Sequence, residues 1–234
     1  LKIHMSKKLV YLSPMKWDSF SQRPHYFVEW YYEKYKTEII WIEPQATRLP
    51  KLSDIKRIFS FLKKDKIFNA KSNRINVIKS FTIPLDPIIF LQIFNRPIHK
   101  KILEKIKNLI GNSEYFLVIG KPSILSLFLL EKLNPIKSIY DQMDNFPFFY
   151  KGMSKKYMIN NERKIIDKVD KILCSSTGLI TKINNYSSKI TLVKNGLSNI
   201  DFKNRKIILN KNYKVFGYIG PIGYWFNWDW IFRL

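Results

Sequence analysis

Apolar positions along the chain follow two alternating periods. "KKLVYLSP", "TEIIWIEP", "EYFLVIG" and "DKILCSS" are short, nearly continuous apolar runs that stop at proline, glycine or serine. That is the pattern of strands covered on both faces. The segments between them carry apolar residues at helical spacing. "RPHYFVEWYYEKY" places Phe27, Trp30 and Tyr31 to one side, and "KLSDIKRIFSFLKKDK" does the same with Ile55, Ile58, Phe59 and Leu62. From Pro97, Ile98, Ile102, Ile106 and Leu109 share a face, Lys100, Lys101 and Lys107 lie away from it, and Gly111 is a fitting stop. "KPSILSLFLLEKL" has Pro122 near its first turn, and "SKKYMINNERKIIDKV" turns Met158, Ile165, Ile166 and Val169 inward. "RINVIKSFTIP", "IKSIYD" and "KITLVKNG" add strands, and "TGLITKINNY" a further helix. Strand and helix alternate with short connections up to about residue 199, which predicts an α/β fold: a doubly wound, mostly parallel, Rossmann-like sheet.

The pattern then changes. "IDFKNRKIILNKN" is polar, basic and poorly periodic, and "YKVFGYIG" begins a fresh apolar strand. The expected organisation is a domain over residues 1–200, a linker over 201–212, and the first βα unit of an incomplete second domain over 213–234.

Composition adds a charge question. The chain has 234 residues, 46% hydrophobic and 15% aromatic, enough for a sizeable core. Its 41 Lys and Arg exceed its 18 Asp and Glu, giving a formal charge of +23. Such an excess fits an anionic partner, whether nucleic acid, acidic lipid or a phosphorylated substrate. An AT-rich coding bias towards Lys, Ile and Asn would also produce it. The aromatics fall mostly on apolar faces and no nucleic-acid motif is present, so no nucleic-acid partner is expected. The single cysteine, Cys174, excludes an intrachain disulfide and reads as a core thiol. The start lacks the apolar core of a secretory signal, and "PIIFLQIF" and "SILSLFLLEKL" are shorter than the ~18 apolar residues of a membrane span. A cytoplasmic protein is expected, or one peripheral to the inner face of the plasma membrane: "KRIFSFLKKDK" and "RPIHKKILEKIKN" read either as solvated helix faces or as contacts to anionic lipid.

Ligands of an open α/β sheet gather outside the carboxyl ends of its strands. Polar or glycine-rich residues occupy these ends in "SPMKWDSFSQRPH", "YDQMDNFPFF", "KNGLSNIDF" and "GYIGPIGYW". The chain has no Walker-type glycine loop and no G-x-G-x-x-G after the first strand. His4, His25 and His99 lie far apart without a cysteine cluster, so no metal site is expected. Asp141 and Asp144 have a spacing that could hold a divalent ion, but capping of the following segment is the plainer use of Asp144.

Five stretches, "QRPHYFVEWY", "SIYDQMDNFPFF", "ERKIIDKVDKILCSSTGLITKI", "ITLVKNGLSNIDF" and "FGYIGPIGYWFNWDW", together resemble one family in order and spacing. They are similar to nucleotide-sugar glycosyltransferases of the GT-B architecture, family 4-like, of the bacterial surface-polysaccharide type. The resemblance runs from about Val10 to Trp228, with Val169 standing where the family more often has alanine.

The resemblance implies a hexosyltransferase that retains anomeric configuration, needs no metal or cofactor, and moves sugar from a nucleotide-sugar to a saccharide or lipid-linked acceptor. It makes residues 1–200 the acceptor domain, with Arg23, His25, Asp141 and Asp144 facing the cleft, although Pro24 and His25 read equally well as the start of the helix. Asp141 is the candidate for the catalytic centre, although the catalytic residues stay unassigned. Asn195 and Gly196 become the interdomain turn, and Glu162 a structural glutamate. Gly220, Pro221, Ile222 and Gly223 become the donor-phosphate loop, whose backbone N–H groups would meet a diphosphate. Trp225, Phe226 and Trp228 are expected in the core of the second unit. An inactive remnant of such an enzyme, or a basic nucleic-acid-binding α/β protein, are the alternatives. The chain by itself is expected to transfer no sugar.

Overall fold

The computed structural model describes residues 7–49, 69–71, 75–79, 82–196, 217, 218, 220, 222 and 226–233. The helix expected around Ile55 to Leu62 and the linker over 201–212 lie outside them.

The chain forms two units, Leu1–Gly196 and Leu197–Leu234. Among the described residues, the first is built on an eight-stranded sheet. In chain order its elements are β1 (Lys8–Leu12), α1 (Arg23–Tyr35), β2 (Ile39–Ile42), β3 (Asn69–Lys71), β4 (Ile75–Ile78), α2 (Arg96–Ile110), β5 (Tyr115–Ile119), α3 (Ile124–Lys132), β6 (Lys137–Gln142), α4 (Gly152–Lys168), β7 (Lys171–Cys174), α5 (Thr177–Lys182) and β8 (Ile190–Leu192). The spatial order is β3-β4-β2-β1-β5-β6-β7-β8. Every pairing is parallel except β3 with β4, so an antiparallel edge strand closes one side. The chain winds outward from β1 to β4, returns to pair β5 with β1, and winds the other way. The fold is an α/β, Rossmann-like doubly wound sheet whose switch point lies between β1 and β5.

Alternation along the central strands divides the core. Leu9, Tyr11, Ile39 and Trp41 pack towards Val28 and Tyr31 of α1. Val10, Leu12, Ile40 and Ile42 pack on the other face against Ile102 and Ile106 of α2 and Leu125 and Leu129 of α3. Ile119, Tyr140, Ile172 and Cys174 continue the core with Leu127 of α3 and Ile165 and Ile166 of α4. Complete burial of these side chains is worth about 1.5–3 kcal/mol each.

Local signals set the element ends. In α3 the Ser123 hydroxyl accepts from Ser126 N–H at 3.1 Å, and Ser126 Oγ accepts from Ser123 N–H at 2.9 Å. Gly111 closes α2 at φ 58°, a conformation that a side chain would oppose, and its N–H donates to the Lys107 carbonyl. Two side chains depart from the expected pattern. Trp30 is 52% exposed, because α1 points it off the sheet to lie against Phe27 and Tyr35, with Lys34 Nζ 5.2 Å above its ring. His99 faces the core with Ile102, Ile106 and Ile110, while Ile98 and Leu109 are only partly buried.

Within the second unit, the expected strand over 213–220 is described only at Gly217, Tyr218 and Gly220, none of them in a strand. The helix expected at Trp228 is present as α6 (Trp228–Ile231), capped by Asn227 Oδ1, which accepts from Trp230 N–H at 2.9 Å. Of the aromatics expected in a core here, Trp225 lies outside the described residues, Phe226 is half-buried with its ring 4.7 Å from that of Trp228, and Trp228 is 48% exposed. Among the described residues, no helix is long and apolar enough to cross a membrane.

Candidate functional site

The carboxyl ends of β1, β2 and β5 surround the switch point. Beyond Leu12 the chain turns at Ser13, whose Oγ accepts from Met15 N–H at 3.0 Å. Beyond Ile42 it runs through Glu43, Pro44, Gln45 and Thr47, and beyond Ile119 through Gly120 and Lys121 to the α3 cap at Ser123. Together these line a small crevice of about 20 Å³ bounded by Leu12, Ser13, Glu43, Thr47, Lys121 and Ser123. Gly120 is required for this closeness: a Cβ there would lie 2.8 Å from Pro14 Cδ and 3.0 Å from the Leu12 carbonyl oxygen.

The crevice walls are tied down. Glu43 Oε1 accepts from Trp17 N–H at 3.3 Å and has Lys79 Nζ 3.8 Å away. Thr47 Oγ1 and the Tyr150 hydroxyl share a hydrogen bond of 2.8 Å, and Leu49 N–H donates to Ser154 Oγ at 3.1 Å. Hydroxyls, a carboxylate and an ammonium therefore converge on a half-enclosed space. Such a set can hydrogen-bond a polar group that enters its mouth.

Alongside, at the end of β6, lies a buried ionic network. Asp141 is fully buried. Its Oδ1 accepts from both Arg23 Nε at 2.9 Å and Arg23 Nη2 at 2.8 Å. Its Oδ2 accepts from the Tyr11 hydroxyl at 2.8 Å. The guanidinium continues to the segment after β8, where Nη1 donates to the Val193 carbonyl at 2.5 Å and to Asn195 Oδ1 at 3.2 Å. Burial, and then the Asp141 charge, push the Tyr11 hydroxyl well above its ordinary range, so it stays a donor. The β1 strand, the start of α1, β6 and the exit from the sheet are thus joined through one arginine.

Arg23, Asp141 and Asn195, drawn from distant parts of the sequence, meet in this network. Asp141 does not face the crevice as the resemblance implies: both its oxygens are engaged and none of it is exposed. It positions Arg23. His25 is also buried, for a physical reason visible at the start of α1. Its Nδ1 accepts from Gln22 N–H at 3.2 Å, its Nε2 lies 3.2 Å from the Trp17 carbonyl oxygen, and its ring sits 5.3 Å from Trp17 and 4.9 Å from Trp41. It caps a helix inside an aromatic cluster. Asp144 is exposed, has no hydrogen bond or ion pair with a described residue, and caps neither following helix, whose N-caps are Asn145 and Lys151. Gly196 is exposed, with no atom within 4 Å of an added Cβ. Gly220 and Ile222 are exposed, and Pro221 and Gly223 lie outside the described residues.

A second polar cluster backs the site. Glu162 accepts from the Tyr140 hydroxyl at 2.6 Å and from Gln142 Nε2 at 3.3 Å, and Cys174 Sγ donates to Gln142 Oε1 at 3.3 Å. Burial raises the Glu162 carboxyl above its ordinary value and pushes the Cys174 thiol to about 11, which suits packing and disfavours thiolate chemistry. Among the described residues, no His, Cys, Asp and Glu cluster could hold a metal ion.

The sequence does not single out Tyr11, because an aromatic in a buried strand carries no signal for a partner on β6. Nor does it nominate the crevice residues Glu43, Thr47 and Lys121, since each is an ordinary polar loop residue until the strands align. No protein-family model matches the chain, and no curated protein matches it in sequence.

Proposed function

We propose that the first unit is the acceptor-side domain of a nucleotide-sugar glycosyltransferase of the GT-B architecture, acting in bacterial surface-polysaccharide assembly. The acceptor is a saccharide, free or lipid-linked, and it occupies the crevice at the switch point. The donor nucleotide-sugar belongs to the unit that follows, with Gly220 to Gly223 meeting its phosphates. Retaining transfer without a metal ion or cofactor is part of this reading.

The observation that carries it is the convergence of Arg23, Asp141 and Asn195. They come from separate stretches of the family resemblance, and they are linked by hydrogen bonds at the rim of the sheet. The link couples the crevice-bearing strands to Asn195, just before the unit boundary after Gly196. A two-domain transferase needs such a coupling, because the acceptor hydroxyl and the donor carbon must be brought within about 3–3.5 Å. Ser13, Thr47 and Lys121 supply donors for sugar oxygens, and Glu43 an acceptor for sugar hydroxyls.

Calorimetric titration tests this with short polysaccharide-repeat saccharides, their diphospho-lipid forms, nucleotide-sugars and a mixed-sequence RNA. Saturable saccharide binding is expected, weakened about tenfold or more by Thr47→Ala with Lys121→Ala. Salt-sensitive RNA binding with no saccharide binding would overturn the reading.

A further inference from the structure

Among the described residues of the first unit, four strongly exposed apolar side chains cluster outside the crevice. Residues Ile89–Asn95 form a 3₁₀ helix that runs directly into α2. On it, Ile89 is 81% exposed, Phe90 76%, Ile93 56% and Phe94 58%. A period of three residues places Phe90, Ile93 and Arg96 on one line, and Lys100 follows Arg96 one α-helical turn later. Arg96, Lys100 and Lys101 are all exposed.

The opposite edge of the segment is fastened to the protein. Asn95 is fully buried, its Oδ1 accepting from Ile83 N–H at 2.9 Å and its Nδ2 donating to the Ile83 carbonyl at 2.9 Å and to Asp86 Oδ1 at 2.7 Å. Gln92 Nε2 donates to the Asp86 carbonyl at 2.8 Å. With Gln92 and Asn95 held inward, the apolar side chains are held outward. Asp86 is fully buried, and the nearest exposed carboxylate, Glu104, lies one helical turn beyond Lys100.

We propose that this edge, Ile89, Phe90, Ile93 and Phe94 with Arg96, Lys100 and Lys101 beside it, docks on an anionic lipid surface. A 3₁₀ helix of this length spans only about 14 Å along its axis, at about 2 Å per residue, and cannot cross a bilayer. It suits shallow insertion: apolar side chains enter the boundary between headgroups and acyl chains, about 5–10 Å deep, while the cations stay with the phosphates. Hydrocarbon next to three exposed cations, with the single exposed acid Glu104 at their far side, matches acidic lipid better than a second copy of this strongly basic chain, which would bring like charges together. The inference adds to the proposed function the surface on which a lipid-linked acceptor would be met. Vesicle binding requires no sugar, so either reading can fail without the other.

Vesicle sedimentation of the 234-residue chain tests it, using phosphatidylcholine with about 30% phosphatidylserine, or phosphatidylcholine alone. Binding to the acidic vesicles is expected to be at least about tenfold tighter. Phe90→Ser with Ile93→Ser leaves the charge unchanged and should weaken binding about tenfold or more. Arg96→Gln, Lys100→Gln and Lys101→Gln should each cost about fivefold on acidic vesicles, since a cation near the surface is worth about 1 kcal/mol. The same charge removed at exposed Lys155, Lys156 and Lys164 should cost clearly less. Equal losses at both lysine sets, or full binding by Phe90→Ser/Ile93→Ser, would mean that the net charge alone binds and would overturn the proposal. So would self-association abolished by the serine pair without lipid binding. A fall of more than about 5 °C in the melting midpoint of the serine pair would show these side chains covered in the folded chain, which would equally rule out a lipid-docking edge.

Discussion

Replacing Arg23 by methionine removes the one cation that, among the described residues, bonds the buried Asp141 carboxylate, and it keeps most of the side-chain volume. Asp141 would retain the Tyr11 hydroxyl as donor but lose both guanidinium bonds, with no solvent to replace them. Breaking one side of a buried pair in this way costs about 3–5 kcal/mol. For a chain of this size each kcal/mol lowers the melting midpoint by about 2–4 °C, so the expected fall is roughly 6–20 °C. The Asp141→Asn exchange should cost less, about 1–3 kcal/mol, because Tyr11 can still donate to the amide oxygen and the Arg23 side chain, 11% exposed, can turn to water. In the double variant the lone carboxylate is gone, so its loss should fall below that of Arg23→Met alone, a coupling of about 2 kcal/mol or more. Urea unfolding followed by tryptophan fluorescence measures all three. If Arg23→Met lay within about 1 kcal/mol of the parent, or the two losses simply added, the network would not be what fixes this corner of the sheet. A neutral Asp141→Asn would speak for a carboxylate free to meet ligand, contrary to its geometry.

Three further outcomes follow from buried groups. Burial lowers His99 from 6.5 to about 4, and its Nε2 has no hydrogen-bond partner among the described residues. The unfolded chain therefore takes up the proton first, and stability present above pH 6.5 is lost as pH falls towards 4, by about 3 kcal/mol at 1.36 kcal/mol per pH unit. His99→Leu should lose that part of the acid sensitivity in urea titrations at about pH 7 and about pH 4; an unchanged difference between the two would contradict the assignment. Asp86 has the opposite sign: burial raises its carboxyl above 3.8, so its contribution is complete below that value and fades as pH rises through the folded one. Asp86→Asn should gain on the parent between about pH 4 and about pH 8, and a constant gap in melting midpoint would refute this. Gly120→Ala drives a Cβ against Pro14 and the Leu12 carbonyl and should cost about 1–3 kcal/mol by denaturant unfolding; a neutral variant would mean that the crevice floor yields freely.

The sheet is legible in the sequence because its strands are buried on both faces and broken by punctuating residues. "KKLVYLSP" and "TEIIWIEP" each read as a strand, and Gly111 marks the end of α2. The edge strand Asn69–Lys71 is not legible: a three-residue polar run shows no period and exists through its pairing with β4. His99 does not read as a core residue because hydrophobic pattern counts it as polar, and the inward stripe of α2 is rotated towards it. At the site, chemistry-bearing residues can be nominated from sequence, but their orientation cannot. A carboxylate ending a strand looks the same whether it meets a ligand or an arginine 118 positions away, and Asp141 does the latter. Asp86 and Asn95, in turn-like sequence, give no sign of the buried clamp that they form.

The proposed acceptor site is the crevice at the switch point between β1 and β5. Backbone amide spectra of the isotope-labelled chain, recorded while a lipid-carrier saccharide is added, test that most directly. The signals of Ser13, Thr47, Lys121 and Ser123 should shift together and saturate with one affinity, while those of the distant α2 carboxyl end stay in place. Saturable shifts confined to other surfaces, or a crevice silent at saturating saccharide, would contradict the account.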